Sequence, residues 1–369
     1  MNNRRWISKA VVATTIMVVV IGLLFIGGCA PKPTTTTPQT TEVINLIFDD
    51  DAQSTTTIMA RTNLWFCEQV EARTNGRVTF THYYMNSLTK GAECLDGVSS
   101  GVSDVATLIC GYNPQKHFLN QVPFAVPFGP EDNVLALSAW NQLREACPEV
   151  DAESEKFNVK VLFPYVLGPY ILEAKTPIHT LEDLQGKKIL ISGEWGAKMI
   201  ESLGAVPLGL PTPERYVALQ TVAADGSVLG YDISLGFKLY ELCKYTTLTG
   251  FGSWMAGLCV INMDTWDSLP KDIQEIMIEV GKEASEWQAT VAMEEDLATR
   301  QRLEAEEGVT FYELPFEERV RWANAMPNLP ADYVDMGEEM GLPARKVMDN
   351  YLRLCEESGH NFPREWSIP

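Results

Sequence analysis

Positive charge is scarce in this sequence. Over 369 residues, 29 lysines and arginines stand against 49 aspartates and glutamates, a formal net charge of −20. A protein that binds duplex nucleic acid needs a cationic surface to displace phosphate counterions, so nucleic acid is excluded as a partner. Histidine is equally thin: His82, His117, His179 and His360 are scattered, and none sits in an HExxH pattern. The eight cysteines form no CxxC or other metal-ligand spacing, which removes the common structural zinc sites. GxSxG, a Walker A loop and a GxGxxG after a strand are all missing, and Gly186-Lys187-Lys188 is too short for a phosphate loop. Only one long apolar run occurs, at 10–26, so a multi-span channel or transporter is excluded. What the chain has in quantity is core material. At 46% hydrophobic and 21% charged it has enough for two ordinary domains or one large one.

The beginning of the chain reads as an export signal. Arg4, Arg5 and Lys9 precede the apolar run, and Ile26-Gly27-Gly28-Cys29 follows it. A basic start, an apolar middle and small residues before a cut describe a secretory signal at 1–28. The ending resembles a bacterial lipobox, which implies lipidation of Cys29; a plain signal peptide or an uncleaved anchor is the blander reading. Residues 29–41, with the stretch PKPTTTTPQTT, suit a semi-rigid extended tether. Seven cysteines remain beyond Cys29, an odd number inside mostly apolar runs. They are expected as buried small hydrophobes, with one disulfide as the competing arrangement.

From residue 42 strands and helices alternate. Strands are expected at 42–48, 77–84, 105–109, 188–192, 245–248, 258–262 and 309–314, and helices at 58–74, 90–100, 196–203 and 213–222. Thr180 followed three residues later by Asp183 is a helix-start signature. From Pro270 to about 306 there is no further proline, and Ile273, Ile276, Met277, Val280, Ala284, Trp287 and Val291 recur at spacings of three and four, the mark of one long amphipathic helix. The two strands at 245–248 and 258–262 are placed to return the chain to the first unit. With no reactive motif, a two-unit α/β body suits a ligand-binding protein that closes a cleft between lobes.

The motifs along the second unit resemble those of the TRAP-transporter (tripartite ATP-independent periplasmic) solute-binding proteins. The matching blocks are Pro177, Asp183-Leu184-Gln185-Gly186-Lys187-Lys188-Ile189, Leu203-Gly204-Ala205-Val206-Pro207, Tyr216-Val217-Ala218-Leu219-Gln220, Asp225-Gly226 and Tyr240-Glu241-Leu242-Cys243-Lys244-Tyr245. Asn75-Gly76-Arg77-Val78 and Gly101-Val102-Ser103-Asp104 match upstream, and 262–274 matches the start of the connecting helix. The resemblance implies a two-lobed periplasmic-binding-protein-like α/β fold with a hinge cleft and a long helix spanning both lobes. Lobe 1 is expected at 42–167 plus about 256–295, and lobe 2 at 168–255 plus about 296–369. It implies an exported, periplasmic or outer-face receptor, not an enzyme, that captures a small organic acid and delivers it to the permease subunits of a secondary transporter. A sensor presenting its closed form to a signalling partner is the alternative.

The sequence departs from the resemblance at the ligand. The family's carboxylate-clamping arginine falls at Leu190, a second arginine of some acid-binding members at Tyr170, and a frequent asparagine at Leu229. A buried carboxylate without a cation costs several kcal/mol, so something must replace the clamp. Lys90, Lys116 and Lys238 are the candidate cations. A metal ion bridging the acid to Asp49, Asp50, Asp51, Glu194 or Asp232 is a second solution, and no other cofactor is expected. The third is a neutral, aromatic or cationic solute on rings such as Tyr112, Phe128, Tyr170, Trp195, Tyr231 and Trp254. The expected ligand set is therefore Asp51, Tyr112, Phe128, Tyr170, Leu190, Glu194, Trp195, Leu229, Tyr231, Asp232 and Trp254. The expected cleft is arginine-poor and gives no stabilisation with succinate.

Overall fold

The computed structural model describes residues 43–50, 57–84, 87–210 and 212–368, without the side chains of 213, 255 and 256. The signal, Cys29, the tether and Asp51 lie outside these residues. In chain order the first elements are β1 (Ile44–Asp50), α1 (Ile58–Arg73), β2 (Val78–Tyr84), α2 (Cys94–Ser99), β3 (Val105–Ile109), α3 (Asn133–Ala146), α4 (Glu149–Glu155) and β4 (Val159–Leu167). Then come β5 (Ile171–Ala174), α5 (Leu181–Leu184), β6 (Lys188–Leu190), α6 (Glu194–Ser202), β7 (Val206–Leu208), α7 (Thr212–Gln220), β8 (Gly226–Leu229), α8 (Tyr231–Gly236) and β9 (Tyr245–Leu248). The chain continues through β10 (Trp254–Asn262), α9 (Met263–Ser268), α10 (Lys271–Glu306), β11 (Thr310–Glu313), α11 (Phe316–Ala325), α12 (Leu329–Glu339) and α13 (Ala344–Glu357).

Two sheets result. The first has the order β2-β1-β3-β10-β4, with β1 parallel to β2 and β3, and β10 antiparallel to β3 and β4. The second runs β11-β9-β5-β8-β6-β7, with β5 antiparallel to both neighbours. Of the two strands expected to return the chain, β10 does so, whereas β9 stays in the second sheet beside β5 and β11. The expected α/β, two-sheet architecture is the one observed. β3 is nearly all apolar and buried (Val105, Ala106, Leu108), as a strand covered on both faces must be. Pro164 lies in β4, whose one strand partner among the described residues is β10, a position where a missing N–H costs no ladder bond.

The 36-residue α10 spans about 54 Å at 1.5 Å per residue. Its inner stripe, Ile273, Met277, Val280, Ala284, Ala289 and Ala292, packs on β4 and α1 and then passes α3 and α8. Gly281 lets it approach closely, since a Cβ there would meet the Leu162 carbonyl oxygen at 3.0 Å. Farther along, the Gln288 amide donates to Val166 O (3.1 Å) and accepts from Val166 N (2.9 Å). One side chain thus completes the open edge of β4 just before the chain leaves the first sheet.

The lobe boundary expected at 296 is corrected by the packing. β11 and α11 do join the second sheet, through Leu314, Trp322 and Ala323. α12 and α13, however, pack on α3 and residues 118–126: Val347, Met348, Tyr351 and Leu354 meet Leu137, Trp140 and Leu143. All seven cysteines from Cys67 to Cys355 are buried and outside any disulfide, as small hydrophobes.

Candidate functional site

The chain passes between the sheets at 168–170, 249–253 and 307–309. The first two passages touch. Gly168 has φ 139°, and a Cβ there would lie 3.0 Å from the Cα of Ser253, so this close approach needs glycine. Between the sheets beside these passages lies a cleft with about 850 Å³ of empty space, counting the part open to solvent. That is the size of a small-molecule site.

Both sheets supply its walls. From the first come Thr57 and Met59 at the start of α1, Ile109, Gly111 and Tyr112 after β3, Phe124, and Leu167 at the end of β4. From the second come Tyr170, Ser192, Gly193, Thr212, Asp232, Ile233 and Phe237. Ser192 and Gly193 follow the carboxyl end of β6, and Asp232 and Ile233 follow that of β8, the place where ligands bind in open α/β sheets. α6, α7 and α8 all begin at this face, and helix N-termini carry partial positive charge.

Arg215 lies just behind the second wall. It is 2% exposed, the one buried arginine or lysine among the described residues. Its guanidinium donates to Ser192 Oγ (2.6 Å), Ser227 Oγ (3.0 Å), the Val228 carbonyl (3.1 Å) and, weakly, the Leu210 carbonyl (3.4 Å). Burial pulls its pKa down, and the nearby phenols of Tyr170 and Tyr112 oppose that shift. Ser227 is the register partner of Leu190. A guanidinium therefore reaches the end of β6 after all, from α7 instead of from the strand. The expectation was an arginine-poor cleft: among its described lining residues there is no arginine, and Arg215 stands one layer behind Ser192. None of the three candidate lysines is among the described lining residues of the cleft: Lys116 pairs with Asp96 (2.5 Å), Lys238 is 3.9 Å from Glu241, and Lys90 is exposed.

A second cavity of about 910 Å³ shares Thr57, Leu167 and Asp232 with the cleft and continues to Tyr231, Ala292, Glu295, Asp296 and Thr299. Burial, followed by the neighbouring Asp232 and Glu295, pushes the Asp296 carboxyl up to about 8. Burial likewise raises Asp232. Arg61 holds Glu295 as an ion pair. Among the described residues no group of three or more acids, histidines or cysteines has metal-site geometry. Asp49 is buried and accepts from the Thr89 hydroxyl.

Of the expected ligand residues, the structure brings Tyr112, Tyr170 and Asp232 together on the cleft and puts Tyr231 in the adjoining cavity, its ring 6.2 Å from that of Phe311. The others have different work. Leu190 and Leu229 face away, into a core with Ala218, Leu219 and Leu239. Phe128 is buried against Phe251. Trp195 packs under Tyr333 (5.8 Å), because α12 comes across from beyond α10. Glu194 is a surface partner of Lys198 (3.0 Å). Trp254 backs the cleft from below, 4.1 Å from the Tyr170 ring and 4.8 Å from that of Phe124. Sequence reasoning missed Arg215, Ser192 and Thr212. One signal was available: Arg215 stands three and four residues ahead of Ala218 and Leu219, on the inner face of its helix.

Comparison with known proteins agrees with this architecture. Residues 49–335 match the family model described as bacterial extracellular solute-binding protein, family 7. The chain is 27% identical over 281 residues to the C4-dicarboxylate-binding periplasmic protein DctP of Rhodobacter capsulatus, covering 75% of this chain and 81% of that one. It is 30% identical over 225 residues, 57% of each chain, to a monocarboxylate 2-oxoacid-binding periplasmic protein of Nostoc sp.. In structure it is similar to a TRAP solute-binding protein of Rhodoferax ferrireducens crystallised with copurified benzoate, with TM-score 0.78 and 23% identity over 86% of this chain and 99% of that one. With two sheets, a cleft between them and a family match over most of its length, the chain belongs to family 7 of the bacterial extracellular solute-binding proteins, the solute-binding receptors of TRAP transporters.

Proposed function

We propose that this receptor takes a small organic acid into the cleft lined by Tyr112, Tyr170, Ser192 and Asp232, closes its two lobes on it, and hands it to a membrane permease. Members of the family are receptors and not enzymes. The observation that carries the reading is the cleft itself: both lobes wall it, so closing them buries a guest of small-molecule size. The two relatives named above bind a dicarboxylate and 2-oxo monocarboxylates, which supports an acid as the guest. The reading includes a lipid on Cys29, with 30–41 holding the body off the membrane.

A melting-temperature screen of the full-length chain in detergent against organic acids, amines and neutral aromatics tests it. An acid present at 100 times its Kd adds about 2.7 kcal/mol. Stabilisation by amines alone, with every acid inert, sinks the reading. Mass spectrometry of the N-terminal peptide tests the anchor: a diacylglyceryl adduct on Cys29, lost in Cys29→Ser, is expected.

A further inference from the structure

Resting on the organic-acid reading, we propose that Arg215 anchors the guest's carboxylate together with Ser192, and that the guest is a monocarboxylate with a flat apolar body. Arg215 is a buried cation whose four hydrogen-bond acceptors are all neutral. Among the described residues no aspartate or glutamate lies within 4 Å of it, whereas Arg61, Arg73, Arg144 and Arg319 each have an acid. Burying a guanidinium without a counter-charge is costly, and the cleft is where a counter-charge can arrive. A guanidinium has five N–H donors, so four bonds leave one Nη2 hydrogen unspent. Ser192, which accepts from the same Nη2, lines the cleft. An anion beside Ser192 therefore meets the remaining donor, the serine hydroxyl, and the N-termini of α6 and α7 at Gly193 and Thr212.

The rest of the cleft limits the guest to one carboxylate. None of its described lining residues is a lysine or arginine, and residues 51–56 and 85–86 contain neither. A second carboxylate would be desolvated against Tyr112, Ile109, Phe124, Leu167 or Phe237, or would face Asp232. Those rings suit a flat apolar body.

Titration calorimetry on the full-length chain in detergent tests this with three probes of one skeleton: benzoate, benzamide and terephthalate. Benzoate is expected to bind at least about 100-fold more tightly than its neutral isostere benzamide, and terephthalate at least about tenfold more weakly than benzoate. Arg215→Met is expected to lose about 100-fold in benzoate affinity, with partial recovery in Arg215→Lys. Asp232→Asn is expected to narrow the gap between terephthalate and benzoate. Should Arg215→Met fail to fold by circular dichroism, Ser192→Ala (about tenfold weaker for benzoate) and the wild-type benzoate–benzamide pair carry the test. Equal affinity for benzoate and benzamide, or a folded Arg215→Met that keeps benzoate, overturns the anchor. Binding of succinate with none of the three probes overturns the monocarboxylate class and leaves the acid receptor standing. Binding of no acid at all overturns both.

Discussion

The two walls of the cleft are made of different chemistry. The first sheet's wall, from Thr57 to Leu167, offers apolar side chains, a glycine, a threonine and one phenol, with no charged group among the described residues. The second sheet's wall brings Asp232 and, one layer behind Ser192, the Arg215 guanidinium. Directional contacts thus belong to one lobe and apolar cover to the other. Such a division gives an order of events: a guest is oriented on the second wall and then shut in by the first, whose apolar surface contributes mainly when water leaves.

The comparison can be broken most forcefully at its shared floor. Trp254 supports Tyr170 of one wall and Phe124 of the other, and Trp254→Ala is expected to destabilise the protein by about 3–5 kcal/mol in chemical denaturation. A loss below 1 kcal/mol would mean that the walls stand separately. The next effect is confined to the second lobe. Glu173 of β5 is buried and accepts from Ser234 of α8, and burial pushes its carboxyl up to about 7. Its folded pKa exceeds the ordinary value of 4.5, so the folded state holds the proton more strongly than the unfolded one. Its contribution is full below about 4.5 and is lost as pH rises through about 7, a fall of about 3 kcal/mol. Glu173→Gln should flatten that slope in melts across pH 4–8; an unchanged slope would show that Glu173 is ionised throughout.

A smaller contrast separates the two phenols. Tyr170→Ala should lower both ligand affinity and melting temperature, because its ring is stacked on Trp254 and such pairs contribute about 0.5–1.5 kcal/mol. Tyr112 is 37% exposed, and Tyr112→Ala should weaken binding about threefold to tenfold with a smaller melting loss than Tyr170→Ala. Equal melting losses would erase the distinction. The smallest effect is expected from reductant: with the seven cysteines beyond Cys29 buried and outside any disulfide, dithiothreitol should move the melting temperature by less than about 1 °C.

The elements most legible in the sequence were those fixed by local pattern. The spacing of Ile273, Met277, Val280 and Ala284 announced α10, and the Thr180–Asp183 signature is a formed capping box. Tyr112, Tyr170 and Asp232, named from their places after strand ends, do line the cleft, because their positions along the chain put them at its walls. Reading failed where direction depends on partners far along the chain. Counting along a motif located Leu190 and Leu229 but not the side of the sheet on which their side chains lie, and they turn toward α7. Trp195 is covered by Tyr333, nearly 140 positions later, which no local pattern encodes. Arg215 carried its clue in helical periodicity, yet an arginine on a helix ordinarily reads as surface.

α10 belongs to both lobes at once, since the same rod lies on β4 and α1 and farther along beside α8 and the Ala292–Thr299 cavity wall. A stiff spar fastened that way restricts the lobes' relative travel to swings that its side chains tolerate. The far end of the rod, some tens of ångströms from the guest by its length, would then register whether the jaws are open. A membrane partner gripping the outer surface of that spar could sense occupancy without ever touching the cargo.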